Sequence, residues 1–123
     1  MPSPVTAAEP VRPLKGDNIF FRAGSAEIDA AERPKLTAHA GRLKADSRLV
    51  VMLVGHTDDQ GSRSYKLAVA QSRVDAVFAA LRRLGVPARQ MQRYPVGREK
   101  MAGVCNTAEC RKEMRRVELV YRD

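Results

Sequence analysis

The chain has 123 residues, 44% of them hydrophobic, and a net charge of +8. That length suits one domain and hardly two, with enough apolar side chains for a real core. No apolar run approaches the roughly 20 residues of a membrane-spanning helix, and with no Trp, three Phe and three Tyr the core must be aliphatic.

The opening stretch, MPSPVTAAEPVRP, lacks the apolar centre of a signal peptide. Residues 1–17 read as a linker or a chain end, and 18–123 as the domain. A membrane would then be reached only through an anchor or a parent protein outside this sequence. The positive charge favours anionic partners: nucleic acid, a membrane surface or an anionic wall polymer. Its excess is spread over Arg82-Arg83, Arg89, Arg93, Arg98, Lys100, Arg111-Lys112 and Arg115-Arg116. No aromatic residues interleave it as a stacking platform would require, so no nucleic-acid partner is expected.

Ile19-Phe20-Phe21 reads as a short first strand, and Gly24 and Ser25 open a loop. Asp29 is placed to cap a helix in which Pro34 is tolerable only in the first turn. Leu36, Ala40 and Leu43 recur on one face of that helix, and Asp46-Ser47 closes it. Leu49 to Val54 is the clearest strand. Its apolar side chains lie on both faces, so it is central, or its second face meets a partner. It is expected to end at Gly55, ahead of a polar loop from His56 to Gly61. A long helix is predicted from about Ser64 to Leu84, with Leu67, Ala70, Val74, Val77, Phe78 and Leu81 as its apolar stripe. Gly85 and Pro87 stop it. Met91 to Val96 is a weaker strand, demoted by Pro95 to an edge or a strand end. Glu109 to Met114 reads as a short helix and Val117 to Tyr121 as the last strand. The order β-α-β-α-β-(α)-β implies an α+β fold with helices packed on one face of a mixed four-stranded sheet.

Cys105 and Cys110 permit one small disulfide in an oxidising compartment, the turn formers Asn106 and Thr107 lying between them. Two free thiols are the alternative. His56 with Asp58 and Asp59 has the residue types of a hydrolytic or metal site. No second His falls at ligand spacing and no nucleophile motif is present, so no catalytic residue, metal or cofactor is expected.

The segment VGHTDDQGSRSYKLAVAQSRVDAVFAALRRLGV resembles the core of the OmpA-like domain. That family's strand ends in Gly-His-Thr-Asp; a Gly-containing loop follows, then a helix with Tyr, Arg and Val at fixed steps. Gly55, His56, Thr57, Asp58, Gly61, Tyr65, Arg73, Val77 and Leu81 match, as do Gly97 and the ending Arg115-Arg116-Val117-Glu118. Upstream, Ile19-Phe20-Phe21 and Ser25-Ala26-Glu27-Ile28 resemble the first strand and the loop after it. Four positions depart from the pattern. Lys66 replaces an Asn, Ala70 a Ser and Met114 an Asn, and Arg22 stands where many members are acidic.

The resemblance implies non-covalent binding of peptidoglycan through the diaminopimelate of the stem peptide. Such a module anchors an envelope protein or complex to the cell wall from the periplasm. The free end of diaminopimelate carries an ammonium and a carboxylate on one carbon. By the motif, Asp58 would accept from the ammonium and Arg73 would fork onto the carboxylate, as a planar guanidinium suits. Thr57 and the loop at Gly24 would add hydroxyl or backbone contacts, and Arg115 matches a position near the carboxylate. Lys66 donates where Asn would donate but cannot accept. It adds a charge that opposes the ligand's ammonium, so an Asn there is expected to bind more tightly. On this reading neither Asp58 nor Arg73 is needed for folding. The alternative is a protein–protein interaction domain on the same scaffold with a lost or retuned pocket, and an envelope protein as partner.

Overall fold

The strand at the centre of the sheet is the one with apolar side chains on both faces. In the computed structural model, which describes residues 17–57, 61–95 and 107–122, β2 (Val50–His56) lies between two other strands. The sheet runs β1 (Asn18–Phe20), β4 (Arg116–Arg122), β2, β3 (Met91–Tyr94) in space. β4 is antiparallel to both its neighbours and β3 is parallel to β2, so the sheet is mixed. β3 and β1 are the edge strands, and for β3 this is consistent with the Pro95 that follows it.

α1 (Arg33–Ala45) and α2 (Arg63–Arg83) cover one face. Leu36, Ala40 and Leu43 of α1 and Val74, Val77 and Leu81 of α2 share one core with Ile19, Val51, Leu53, Met91, Val117 and Leu119. On the other face Val50, Met52, Val54 and Val120 are only half-buried. α3 (Ala108–Met114) contributes no buried residue. Among the described residues no helix is long and apolar enough to cross a membrane.

Local chemistry sets the ends of these elements. Ser62 caps α2, its hydroxyl accepting from the Tyr65 amide at 3.1 Å. At the far end Gly85 takes φ 96°, and the Gly85 and Val86 amides donate back to the Arg82 and Leu81 carbonyls. Gln90, 2% exposed, closes the end of α1. Its Nε2 lies 2.8, 3.0 and 3.0 Å from the carbonyls of Leu43, Asp46 and Leu49.

Three sequence expectations are corrected here. Asp29 precedes a short 3-10 turn, Ala30–Glu32, and makes no side-chain cap. It pairs instead with Arg22 at 3.1 Å, and the α-helix starts later, at Arg33. Leu67 is 45% exposed rather than core. Ala70 already packs at the last stretch of β2, so a residue one turn earlier overhangs the strand end. Finally, Gly55 does not stop β2. The ladder continues through Gly55 and His56, which pair with Val117 and Arg116.

Gly55 is required for contact, not for a turn. A Cβ there would lie 2.9 Å from Val74 Cγ2 and 3.0 Å from the carbonyl oxygens of Ala70 and Pro95. Two of those neighbours are backbone and cannot yield without moving α2 or the chain after β3. Gly55→Ala is therefore expected to cost about 2 kcal/mol, read as a lower urea midpoint at unchanged slope.

Tyr121 lies on the core side of β4 beneath α1. His39 Nδ1 is 2.5 Å from its hydroxyl, the two rings stack at 5.6 Å, and the Arg42 guanidinium sits 4.0 Å from its ring centre. Burial pushes the hydroxyl up to about 12 from 10.0, the charge of Arg42 opposing that shift and Asp17 adding to it. The folded state thus keeps a proton that the unfolded chain gives up first. That stability is complete below pH 10 and is lost as pH rises through 12. Melting curves across that window are expected to show the parent falling faster than Tyr121→Phe.

Candidate functional site

The end of β2, the start of α2, the loop after β1 and the junction of α3 with β4 meet around a cleft of about 270 Å³. α2 supplies Tyr65, Lys66, Val69 and Arg73, which fall on one helical face. Thr57 follows the last residue of β2, Ala23 and Gly24 come from the loop, and Arg115 from the junction. Of the six expected ligand residues, the structure brings Gly24, Thr57, Lys66, Arg73 and Arg115 to this one cleft. The sixth, Asp58, lies outside the described residues.

Arg73 is built into the fold. It is 1% exposed, and its guanidinium reaches under the loop after β1. Nε donates to the Ser25 carbonyl at 2.8 Å and one terminal nitrogen to the Arg22 carbonyl at 3.2 Å. The Phe21 ring lies 5.4 Å from its central carbon. Nε and one terminal nitrogen are thus engaged by two loop carbonyls, which hold the side chain in place. Arg115 closes the loop from the other side. Its Nε donates to the Phe21 carbonyl at 3.1 Å, and its own carbonyl accepts from the Phe21 amide at 2.8 Å.

The loop itself needs its glycine. Gly24 has φ 68°, and a Cβ there would come within 3.3 Å of the Tyr65 hydroxyl. Gly61, at φ 97°, flanks the same ring, where a Cβ would lie 2.6 Å from Tyr65 Cδ2. Tyr65 therefore forms a half-exposed wall between two glycines. Tyr65 matches the family pattern but is not among the six residues that the resemblance assigns to the ligand. The signal was there: an aromatic on the first turn of a helix whose cap and preceding glycine lie beside it.

His56 lies 7% exposed at the strand end, its Nε2 3.2 Å from Glu118 Oε1. Among the described residues no group of three His, Cys, Asp or Glu side chains could hold a metal ion. Cys110, in α3, is disulfide-bonded, and Cys105 lies outside the described residues. A second groove, of about 580 Å³, runs between α1 and α2 over Leu36, Ala76, Ala79 and Ala80. It is larger, but none of the expected site residues lines it.

The described residues thus form a mixed sheet with two helices on one face and, at the end of β2, a cleft that holds Lys66, Arg73 and Arg115. The model of the OmpA family matches residues 20–115, and the chain belongs to that family. It is 34% identical over 105 residues to the peptidoglycan-associated lipoprotein of Agrobacterium fabrum, a match covering 85% of this chain and 59% of the relative. With the corresponding Legionella pneumophila lipoprotein it shares 36% identity over 88 residues, 72% of this chain and 50% of the relative. The chain therefore spans about half to six-tenths of the length of these relatives. The crystal structure of the Burkholderia pseudomallei peptidoglycan-associated lipoprotein superposes with a TM-score of 0.80 at 31% identity, covering 86% of this chain and 90% of that one. The C-terminal domain of Helicobacter pylori MotB shares the fold, with a TM-score of 0.77 at 21% identity over 87% of this chain and 84% of that one.

The burial of Arg73 and its two loop hydrogen bonds give it a share in stability beside the expected ligand role. Removing it would strand two loop carbonyls and open a void beneath the loop. Arg73→Ala is expected to lose about 3 kcal/mol of stability in urea denaturation. Lys66→Ala, which breaks no bond to the described residues, should lose less than about 0.5 kcal/mol.

Proposed function

We propose that this chain binds peptidoglycan non-covalently in the cleft beneath Gly24 and Thr57, anchoring an envelope protein or complex to the wall from the periplasm. The ligand group is the free end of diaminopimelate in the stem peptide. The observation that carries this reading is the convergence of five of the six expected ligand residues, from four separate segments, on one cleft that holds Lys66, Arg73 and Arg115. Membership of the OmpA family, and similarity to proteins named for association with peptidoglycan, support it.

In this reading the residues divide the work by charge. Arg73, pinned by loop carbonyls, is a fixed positive charge for the ligand carboxylate. A charge held rigid before binding loses little entropy when the ligand arrives. Asp58, next in sequence to the cleft residue Thr57, accepts from the ligand ammonium. Thr57 and the backbone of the loop at Gly24 supply hydroxyl and amide contacts. The module binds and catalyses nothing, and it needs neither cofactor nor metal. Wall anchoring by such a site gains from many copies acting together, so a modest single-site affinity suffices.

A second reading, a protein-interaction domain on the same scaffold, is favoured by the half-buried Val50, Met52, Val54 and Val120 on the sheet face away from α1 and α2. Sedimentation with purified sacculi at moderate salt separates the two. The parent chain is expected to pellet with the wall, and Asp58→Ala to bind at least tenfold more weakly. A parent that stays in the supernatant would leave the protein-interaction reading as the better one.

A further inference from the structure

The three cations of the cleft, Lys66, Arg73 and Arg115, are not committed alike. Both arginines donate to carbonyls of the segment from Phe21 to Ser25. The Lys66 ammonium has no hydrogen-bond or ion-pair partner among the described residues. Its side chain is half-buried on the wall of the cleft, one residue after Tyr65. A partly buried ammonium that shares a cleft with two other cations gains from an added anion. Among the described residues nothing uses this charge, and an Asn at the same place would donate a hydrogen bond without it.

We infer that Lys66 selects wall peptides carrying a second carboxylate, distinct from the one at the zwitterionic end of diaminopimelate. This rests on the wall-binding reading above. It also reverses, for such a ligand, the expectation that Lys66 only opposes binding. Repulsion of the ligand ammonium is offset when the same ligand brings a carboxylate to the lysine. A stem that ends in diaminopimelate has two candidates: the α-carboxylate of its γ-linked D-glutamate, and the carboxylate at the chain-linked end of diaminopimelate, which in a longer stem is taken up by the next peptide bond. Either would make a charge-assisted contact in a partly dry cleft, and amidation of that group would remove it. Arg73 cannot substitute, because its position is fixed by Ser25 and Arg22.

The test is calorimetric titration of the full chain and of Lys66→Gln with three synthetic tripeptides, L-alanyl-γ-D-glutamyl-meso-diaminopimelate and two amides of it. One amide blocks the glutamate α-carboxylate, the other the chain-linked carboxylate of diaminopimelate, and both leave the zwitterionic end free. The parent is expected to bind the unblocked peptide about tenfold more tightly than one of the amides, whose identity names the source of the carboxylate. Lys66→Gln should bind all three within about twofold. A ratio in Lys66→Gln equal to the parent's would overturn the inference, as would equal binding of all three peptides by the parent. In both of those outcomes the wall-binding reading survives. Failure of the parent to bind any of the peptides would sink both. Lys66→Arg, which restores the charge, is expected to recover most of the preference, and its failure to do so would also count against the inference.

Discussion

The cleft exists where it does because α2 lies almost in contact with the end of β2. Only a residue without a side chain allows that approach: at Gly55 the Val74 methyl, the Ala70 carbonyl and the Pro95 carbonyl already fill the space a Cβ would take. Two consequences follow along the chain. The strand can carry its ladder as far as His56 and deliver Thr57 directly to the cleft. The first turns of α2, no longer above the sheet, project past the strand end and present Tyr65, Lys66 and Val69 sideways. Packing of the helix on the sheet and construction of the cleft thus depend on the same close contacts at Gly55.

Arg73 shows how a charge can be buried without being wasted on instability. A bare guanidinium at 1% exposure would be costly. Here the cost is offset by carbonyls of Ser25 and Arg22 and by the Phe21 ring, all from the loop that roofs the cleft. The same bonds that make the charge tolerable also hold the roof down. Arg115 repeats the device from the opposite side through Phe21. The loop is thereby fastened by two cations from distant parts of the chain, so its shape is set before any ligand arrives.

The fold was largely legible in the amino-acid sequence because its signals are local and periodic. The two-faced apolar strand, the stripe on α2 and the stop at Gly85 each report on a few neighbouring residues. What was misread depends on distant parts of the chain. Gly55 looks like a terminator until α2 is packed against it, and Leu67 looks like core until the helix is seen to overhang the strand. Asp29 has the chemistry of a cap but finds Arg22 first. Gln90, which closes α1 by binding three carbonyls, gives no sign of that role in sequence. The site was legible through family resemblance rather than spacing. Gly24, Thr57, Lys66, Arg73 and Arg115 came together in one cleft, but the double duty of Arg73 emerged only with the loop carbonyls in view.

The strand order has a bearing on how the molecule assembles. β4, last in sequence, occupies an interior place, with β1 on one side and β2 on the other. Among the described residues β1 pairs with β4 alone, so the first strand made must wait for the last. Nearly the whole chain intervenes between Asn18 and its partner Glu118, and contacts of such long separation slow folding. The cleft waits with them, since its loop follows β1 and Arg115 leads into β4. Until the C-terminal segment docks, the helices and β2 can collapse on one another, but the cleft lacks the wall that Arg115 supplies.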